Sequence, residues 1–89
     1  MNKLIIQIPC WNEEETLGIT LQALPRQVPG FTSVEWLVID DGSTDRTVEV
    51  AKKHNVDHVV QLPQHLGLAR AFEAGLEAAL AAEADVIVN

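Results

Sequence analysis

Three short polar clusters hold the residues best equipped for chemistry: Pro9-Cys10-Trp11-Asn12-Glu13, Asp40-Asp41-Gly42-Ser43 and His65-Leu66-Gly67 with Arg70. Trp11 offers a flat apolar face beside polar neighbours, which suits a planar ring. Asp40 and Asp41 offer acceptors for a base N–H or for ribose hydroxyls. Gly67 lets a backbone approach closely, and the helix it opens points N–H groups outward. Arg70, one turn on, can face phosphate oxygens. Base, sugar and phosphate are each provided for, so a nucleotide is the ligand these residue types suggest. Each cluster also has a plain structural reading. Asp-Asp-Gly-Ser serves as turn and capping chemistry, and Glu13 to Glu15 complements a helix dipole. The combination carries more weight than any member.

The elements that must position these clusters alternate along the chain. Lys3 to Ile8 is a β-branched apolar run ended by Pro9, and it reads as a buried strand. Asn12 is placed to cap a helix with Glu13, Glu14 and Glu15 in its first turn, continued by Leu17, Leu21 and Leu24. Val34 to Ile39 reads as a second strand, and Ser43 or Thr44 caps a helix to about His54 with Val48 and Ala51 inside. His58 to Leu62 reads as a third strand. A helix from Leu66 to about Ala82 shows Ala69, Phe72, Leu76, Ala79 and Leu80 at three- and four-residue steps, the pattern of a buried stripe. Asp85 to Val88 opens a fourth strand. The order β-α-β-α-β-α-β predicts an α/β fold: a three-layer half of a doubly wound, mostly parallel sheet, Rossmann-like in plan. In such a sheet ligands bind beyond the carboxyl ends of the strands, where all three clusters fall.

Composition narrows the function classes. The 89 residues carry a net charge of -7, with thirteen carboxylates against six Lys and Arg. No basic patch is available for a nucleic-acid backbone, so no nucleic acid is expected as partner. The single cysteine, Cys10, has no internal disulfide partner, which predicts a cytoplasmic setting. No run approaches the roughly 20 apolar residues of a membrane span, so no membrane contact is expected from this chain. His54 and His58 lack metal-ligand spacing, and no metal ligand or catalytic residue is assigned. The acidic pair follows the second strand rather than the first, unlike a phospho-receiver. The first strand is not followed by G-x-G-x-x-G, unlike a dinucleotide oxidoreductase. A nucleotidyltransferase, or another α/β nucleotide-binding module without transferase activity, stays as the alternative.

The clusters have a family likeness. Pro9-Cys10-Trp11-Asn12-Glu13-Glu14 resembles the P-x-Y-N-E-E opening of family 2 glycosyltransferases, with Trp11 in place of the usual tyrosine. Val38-Ile39-Asp40-Asp41-Gly42-Ser43-Thr44-Asp45-Arg46-Thr47 resembles that family's V-D-D-G-S-x-D-x-T segment. His65-Leu66-Gly67 through Gly75 resembles N-x-G-x-x-x-A-x-x-x-G, with His65 where asparagine is usual. The resemblance implies a GT-A fold, with residues 1–89 forming the N-terminal nucleotide-sugar-binding part of such a domain. It leans toward the dolichol-phosphate mannose synthase-like branch.

By the same resemblance Pro9, Trp11, Asn12 and Glu13 serve the base and ribose pocket. Asp41 accepts from the base edge, with Asp40 in support, and Gly67 and Arg70 lie near the diphosphate. A D-x-D segment that binds Mg²⁺ or Mn²⁺ follows the fourth strand in the family, and this chain reaches only Asn89. The divalent cation is therefore expected in the parent enzyme, with its ligands outside these residues. The parent is expected to transfer a sugar from UDP or GDP to an acceptor such as polyprenyl phosphate or a polysaccharide. A place for the parent at the cytoplasmic face of a membrane is compatible with this resemblance, and the 89 residues alone are expected to be inactive.

Overall fold

The structure is a computed structural model and describes residues 2–89. Its elements run β1 (Lys3–Cys10), α1 (Leu17–Gln22), β2 (Ser33–Asp40), α2 (Thr47–Lys53), β3 (His58–Gln61), α3 (Leu68–Ala81) and β4 (Val86–Val88). The strands form one parallel sheet in the order β3-β2-β1-β4. Alternate side chains of β1 and β2 leave the sheet on opposite faces. Leu4, Ile6, Trp36 and Val38 pack with Leu17 and Leu21 of α1 and Ala51 of α2. Ile5, Leu37 and Ile39 pack with Ala71 and Ala79 of α3. Both faces of the central strands are covered, which is why those strands are apolar throughout. The expected three-layer α/β architecture is present.

Four local details differ from the sequence reading. Pro9 does not end the first strand; β1 continues to Cys10, in register with Asp40. The Lys3 carbonyl accepts from Asp85 N–H on the β4 side, and the Cys10 carbonyl accepts from Asp41 N–H on the β2 side. Odd-numbered backbone groups of β1 therefore face β4. Pro9 thus lacks its N–H on the side away from β2, where the β1–β2 ladder does not use it.

The second difference lies at α1. Asn12 is not a helix cap: it adopts φ 49, residues 13–16 form turns, and the helix begins at Leu17. The third is α2, which begins at Thr47 rather than beside Ser43. There the Asp45 carboxylate takes the capping role, accepting from Thr47 N–H at 2.9 Å and from the Thr47 hydroxyl. Desolvation pushes the Asp45 carboxyl up, but these bonds and Glu14 N–H outweigh it and hold it below its ordinary value. Such a group stabilises the fold above the usual carboxylate range, and the contribution is lost as pH falls through its lowered pKa. Asp45→Asn is expected to flatten that acid limb in urea melts below pH 4; an unchanged limb would count against the capping role.

The fourth difference is the buried stripe of α3. Ala71, Gly75 and Ala79 face the sheet, while Leu68, Phe72 and Leu80 are 71%, 38% and 66% exposed and Ala69 is exposed. A Cβ on Gly75 would lie 2.3 Å from Gln7 Oε1 and 2.7 Å from Ile39 Cδ1. The helix thus lies too close to β1 and β2 for large side chains, and small residues form the inner stripe.

At the other end of the sheet Arg26 covers Trp36, with its guanidinium carbon 3.4 Å from the ring centroid. It also donates to Asp57 at 2.8 Å and to the Asn55 carbonyl at 2.6 Å, and Asp57 accepts from Trp36 N–H at 2.7 Å. Arg26 and Asp57 are both partly exposed, so Arg26→Ala is expected to lower unfolding free energy by only about 1 kcal/mol in urea melts. No loss at all would show the network to be ornamental.

Candidate nucleotide site

The three polar clusters meet at the carboxyl edge of the sheet because β1 and β2 end in register and α3 starts beside them. The first two loops are stitched by short hydrogen bonds. Asn12 N–H donates to Ser43 Oγ at 2.8 Å, and Thr44 N–H donates to Asn12 Oδ1 at 2.8 Å. Glu13 N–H donates to Thr47 Oγ1 at 2.9 Å, and Glu14 N–H to Asp45 Oδ2 at 3.1 Å. The left-handed Asn12 backbone turns these groups toward the second loop. Asparagine tolerates that conformation better than most residues.

Asp41 joins the second loop to the third. Its carboxylate, 3% exposed, accepts from Leu66 N–H at 2.8 Å on Oδ1 and from Gly67 N–H at 2.9 Å on Oδ2. His65 Nδ1 lies 2.9 Å from Asp41 Oδ2 and 3.3 Å from the Asp41 carbonyl. Both neighbours of Nδ1 are acceptors, so Nδ1 carries the proton. The imidazole stacks on Trp11 with centroids 4.1 Å apart and planes at 25°. Gly42 makes this closeness possible. With φ +74, it has Gln64 and His65 backbone atoms within 2.7 Å of where a Cβ would stand.

A cavity of about 160 Å³ opens at this junction, lined by Pro9, Cys10, Trp11, Glu13, Asp41, His65, Leu68 and Ala71. Of the residues assigned from sequence, Pro9, Trp11, Glu13 and Asp41 line it. Trp11 is 47% exposed and keeps apolar surface open to solvent. Asn12 instead ties the loops together. Asp40 lies beneath them, 4% exposed, with Oδ2 accepting from Ser43 N–H at 3.3 Å and Oδ1 without a partner. Gly67, at φ +100, is the residue before α3, and its N–H is held by Asp41. Arg70 is exposed on the first turn of α3, 3.8 Å from Glu73. Neither Gly67 nor Arg70 lines the cavity; from α3 it is Leu68 and Ala71 that do.

Leu68, Ala71 and His65 also line the cavity although none was assigned to the site from sequence, and of these His65 is the polar one. The signal available was its place, directly before Leu66-Gly67 at a strand end.

Cys10 lines the cavity but is buried. Burial, with the Glu13 and Asp40 charges nearby, pushes its thiol up to about 12. It is therefore protonated at neutral pH and a poor nucleophile. Labelling by a thiol reagent at pH 8 is expected to be slow in the native chain and fast in urea; fast native labelling would contradict this burial.

A divalent cation finds no donor set here. Among the described residues no group of three or more His, Cys, Asp or Glu side chains could hold a metal. Asp41 is taken up by N–H donors, and Asp40 leaves a single unpartnered oxygen. No described helix is long and apolar enough to cross a membrane.

Sequence and fold comparisons agree on the lineage. YibD of Escherichia coli K12, an uncharacterised glycosyltransferase, is 37% identical over 81 residues, covering 88% of this chain and 23% of its own length. The dodecaprenyl-phosphate galacturonate synthase of Rhizobium johnstonii is 28% identical over 83 residues, covering 86% of this chain and 25% of its own. The structure of S. aureus TarS 1-349 in complex with UDP-GlcNAc superimposes with a TM-score of 0.62 at 25% identity, over 88% of this chain and 23% of that one. The chain spans about a quarter to a third of the length of the curated relatives it matches. Residues 5–88 match the family described as Glycosyl transferase family 2. That match covers nearly the whole chain and all three clusters, and the chain belongs to glycosyl transferase family 2.

Proposed function

We propose that residues 1–89 form the N-terminal nucleotide-sugar-binding part of a GT-A domain. The protein that carries them transfers a sugar from UDP or GDP to an acceptor, polyprenyl phosphate or a polysaccharide, at the cytoplasmic side of the cell. The observation that carries this reading is the cavity at the carboxyl edge of the sheet, where Trp11, Glu13, Asp41 and the start of α3 converge. Likeness to a relative named for dodecaprenyl phosphate supports a polyprenyl acceptor, and likeness to a structure holding UDP-GlcNAc supports a nucleotide sugar donor.

In this reading the base lies against Trp11 and Pro9, and Glu13 accepts from the ribose. Asp41 keeps the third loop closed on the pocket. Asn12 and Asp40 hold the first two loops in place. The α3 N-terminus, with Gly67 and Arg70, faces the diphosphate. These residues bind and orient the donor. Mg²⁺ or Mn²⁺ would neutralise charge on the leaving diphosphate, but the described residues supply no site for it, and no step is assigned to it here.

The test is turnover by the whole protein with UDP- and GDP-sugars, Mn²⁺ and a polyprenyl phosphate. Release of the nucleoside diphosphate with formation of a sugar-lipid is expected. Nucleotidyl transfer to a sugar phosphate in place of glycosyl transfer would establish the alternative.

A further inference from the structure

The clamp that closes the third loop commits Asp41 to backbone N–H groups and leaves a further acceptor at His65. The Asp41 carboxylate holds Leu66 N–H at 2.8 Å and Gly67 N–H at 2.9 Å, while His65 Nδ1, 2.9 Å from Asp41 Oδ2, is hydrogen-bonded to the Asp41 carbonyl at 3.3 Å. Because Nδ1 faces two acceptors, the neutral imidazole has its lone pair on Nε2. Nε2 makes no hydrogen bond among the described residues, and the side chain is 50% exposed at the cavity wall. Its ring is held in place from two sides, by the Trp11 stack at 4.1 Å and by Asp41. Its backbone is held too, pressed against Gly42 and flanked by the clamped Leu66 amide.

We propose that His65 is the specificity-determining residue of this pocket: neutral Nε2 accepts a hydrogen bond from a ring N–H on the Watson–Crick edge of the bound base. This rests on the nucleotide-binding reading above. A fixed acceptor on the wall favours a base with a ring N–H, such as uracil at N3, over cytosine, whose N3 is a lone pair. The penalty for facing two lone pairs is that of an unmade buried hydrogen bond. Asp41 from the second loop and Glu13 from the first line the same cavity as the ring.

UDP and CDP differ only in the base, so phosphate and ribose contributions cancel in their ratio. The chain is titrated with each at pH 8, and amide NMR shifts are followed. UDP is expected to bind about 10-fold more tightly than CDP. In His65→Phe, which keeps a ring on Trp11 but has no nitrogen, the ratio is expected to fall to within twofold of unity. His65→Gln, which retains an acceptor, is expected to recover part of the preference. If UDP binds but the ratio is the same in all three proteins, His65 does not read the base, and nucleotide binding stands without it. If neither nucleotide shifts any resonance of the wild-type chain, the nucleotide reading fails and the proposal falls with it.

Discussion

Gly42→Ala is expected to destabilise the domain by about 3 kcal/mol or more and to abolish any response to nucleotide. The added Cβ would stand 2.3 Å from the Gln64 carbonyl carbon and 2.4 Å from His65 N, both backbone atoms that no rotamer change can move. The second and third loops must then separate, and Asp41 loses its reach to Leu66 and Gly67. A second, smaller penalty comes from φ +74 at position 42, which disfavours any Cβ. Gly30 separates the two effects. It has φ +92 but open space around its Cβ position, so Gly30→Ala carries the backbone strain alone, about 1 kcal/mol. Chemical denaturation of both variants checks the comparison. Equal losses would show that the packing of loop on loop is looser than the structure has it.

Asp41→Ala is expected to lower stability by about 2–3 kcal/mol and to release the third loop. The substitution removes the acceptors of Leu66 N–H and Gly67 N–H together, and the carboxylate beside His65 Nδ1, which keeps its bond to the Asp41 carbonyl. Leu66 and the His65 side chain can turn to water, which keeps the loss below the sum of the separate bonds. Amide exchange should accelerate at Leu66 and Gly67 while the strands stay protected. Asp40→Ala provides the contrast. Its carboxylate makes one bond, 3.3 Å long, and buries an oxygen without a partner. Removing it is expected to cost less than about 1 kcal/mol, since the native group is itself poorly satisfied. If Asp40→Ala were the more damaging of the two, the clamp would have been assigned to the wrong carboxylate.

The fold was legible because its signals are local and repeated. Apolar β-branched runs at Lys3–Ile8 and Val34–Ile39, spaced by helical segments, are what a sheet covered on both faces requires. Where the reading slipped, a neighbour in space decided the matter. Pro9 stays in β1 because the ladder to β2 uses the even-numbered groups of β1 and does not need its N–H, and no residue near Pro9 in sequence announces that. Phe72 and Leu80 carry the strongest apolar periodicity in α3. Yet the helix lies on Gln7 and Ile39 at a distance only Ala71, Gly75 and Ala79 tolerate. Asn12 has the chemistry of a cap, and the same chemistry lets it adopt φ 49 and bond across to Ser43 and Thr44.

The site was legible in its location and partly in its membership. Motif order placed Trp11, Glu13 and Asp41 at one edge, and the structure gathers them around one cavity. The partners of Asp41 were not readable. A carboxylate after a strand can face a ligand or a backbone, and only the approach of residues 65–67 shows that it holds N–H groups. His65 gained its place for the same reason, since its contacts with Trp11 and Asp41 span more than fifty and twenty positions of sequence.

The central claim is that this edge of the sheet holds a nucleotide. The most direct measurement is an amide and indole NMR titration of the 89-residue chain with UDP up to millimolar concentration. Shifts confined to residues 9–13, 40–43 and 65–71, with the Trp11 indole among the largest and Trp36 unmoved, are the predicted result. No shifts in that set, or shifts centred instead on the loop from Arg26 to Val34, would contradict it.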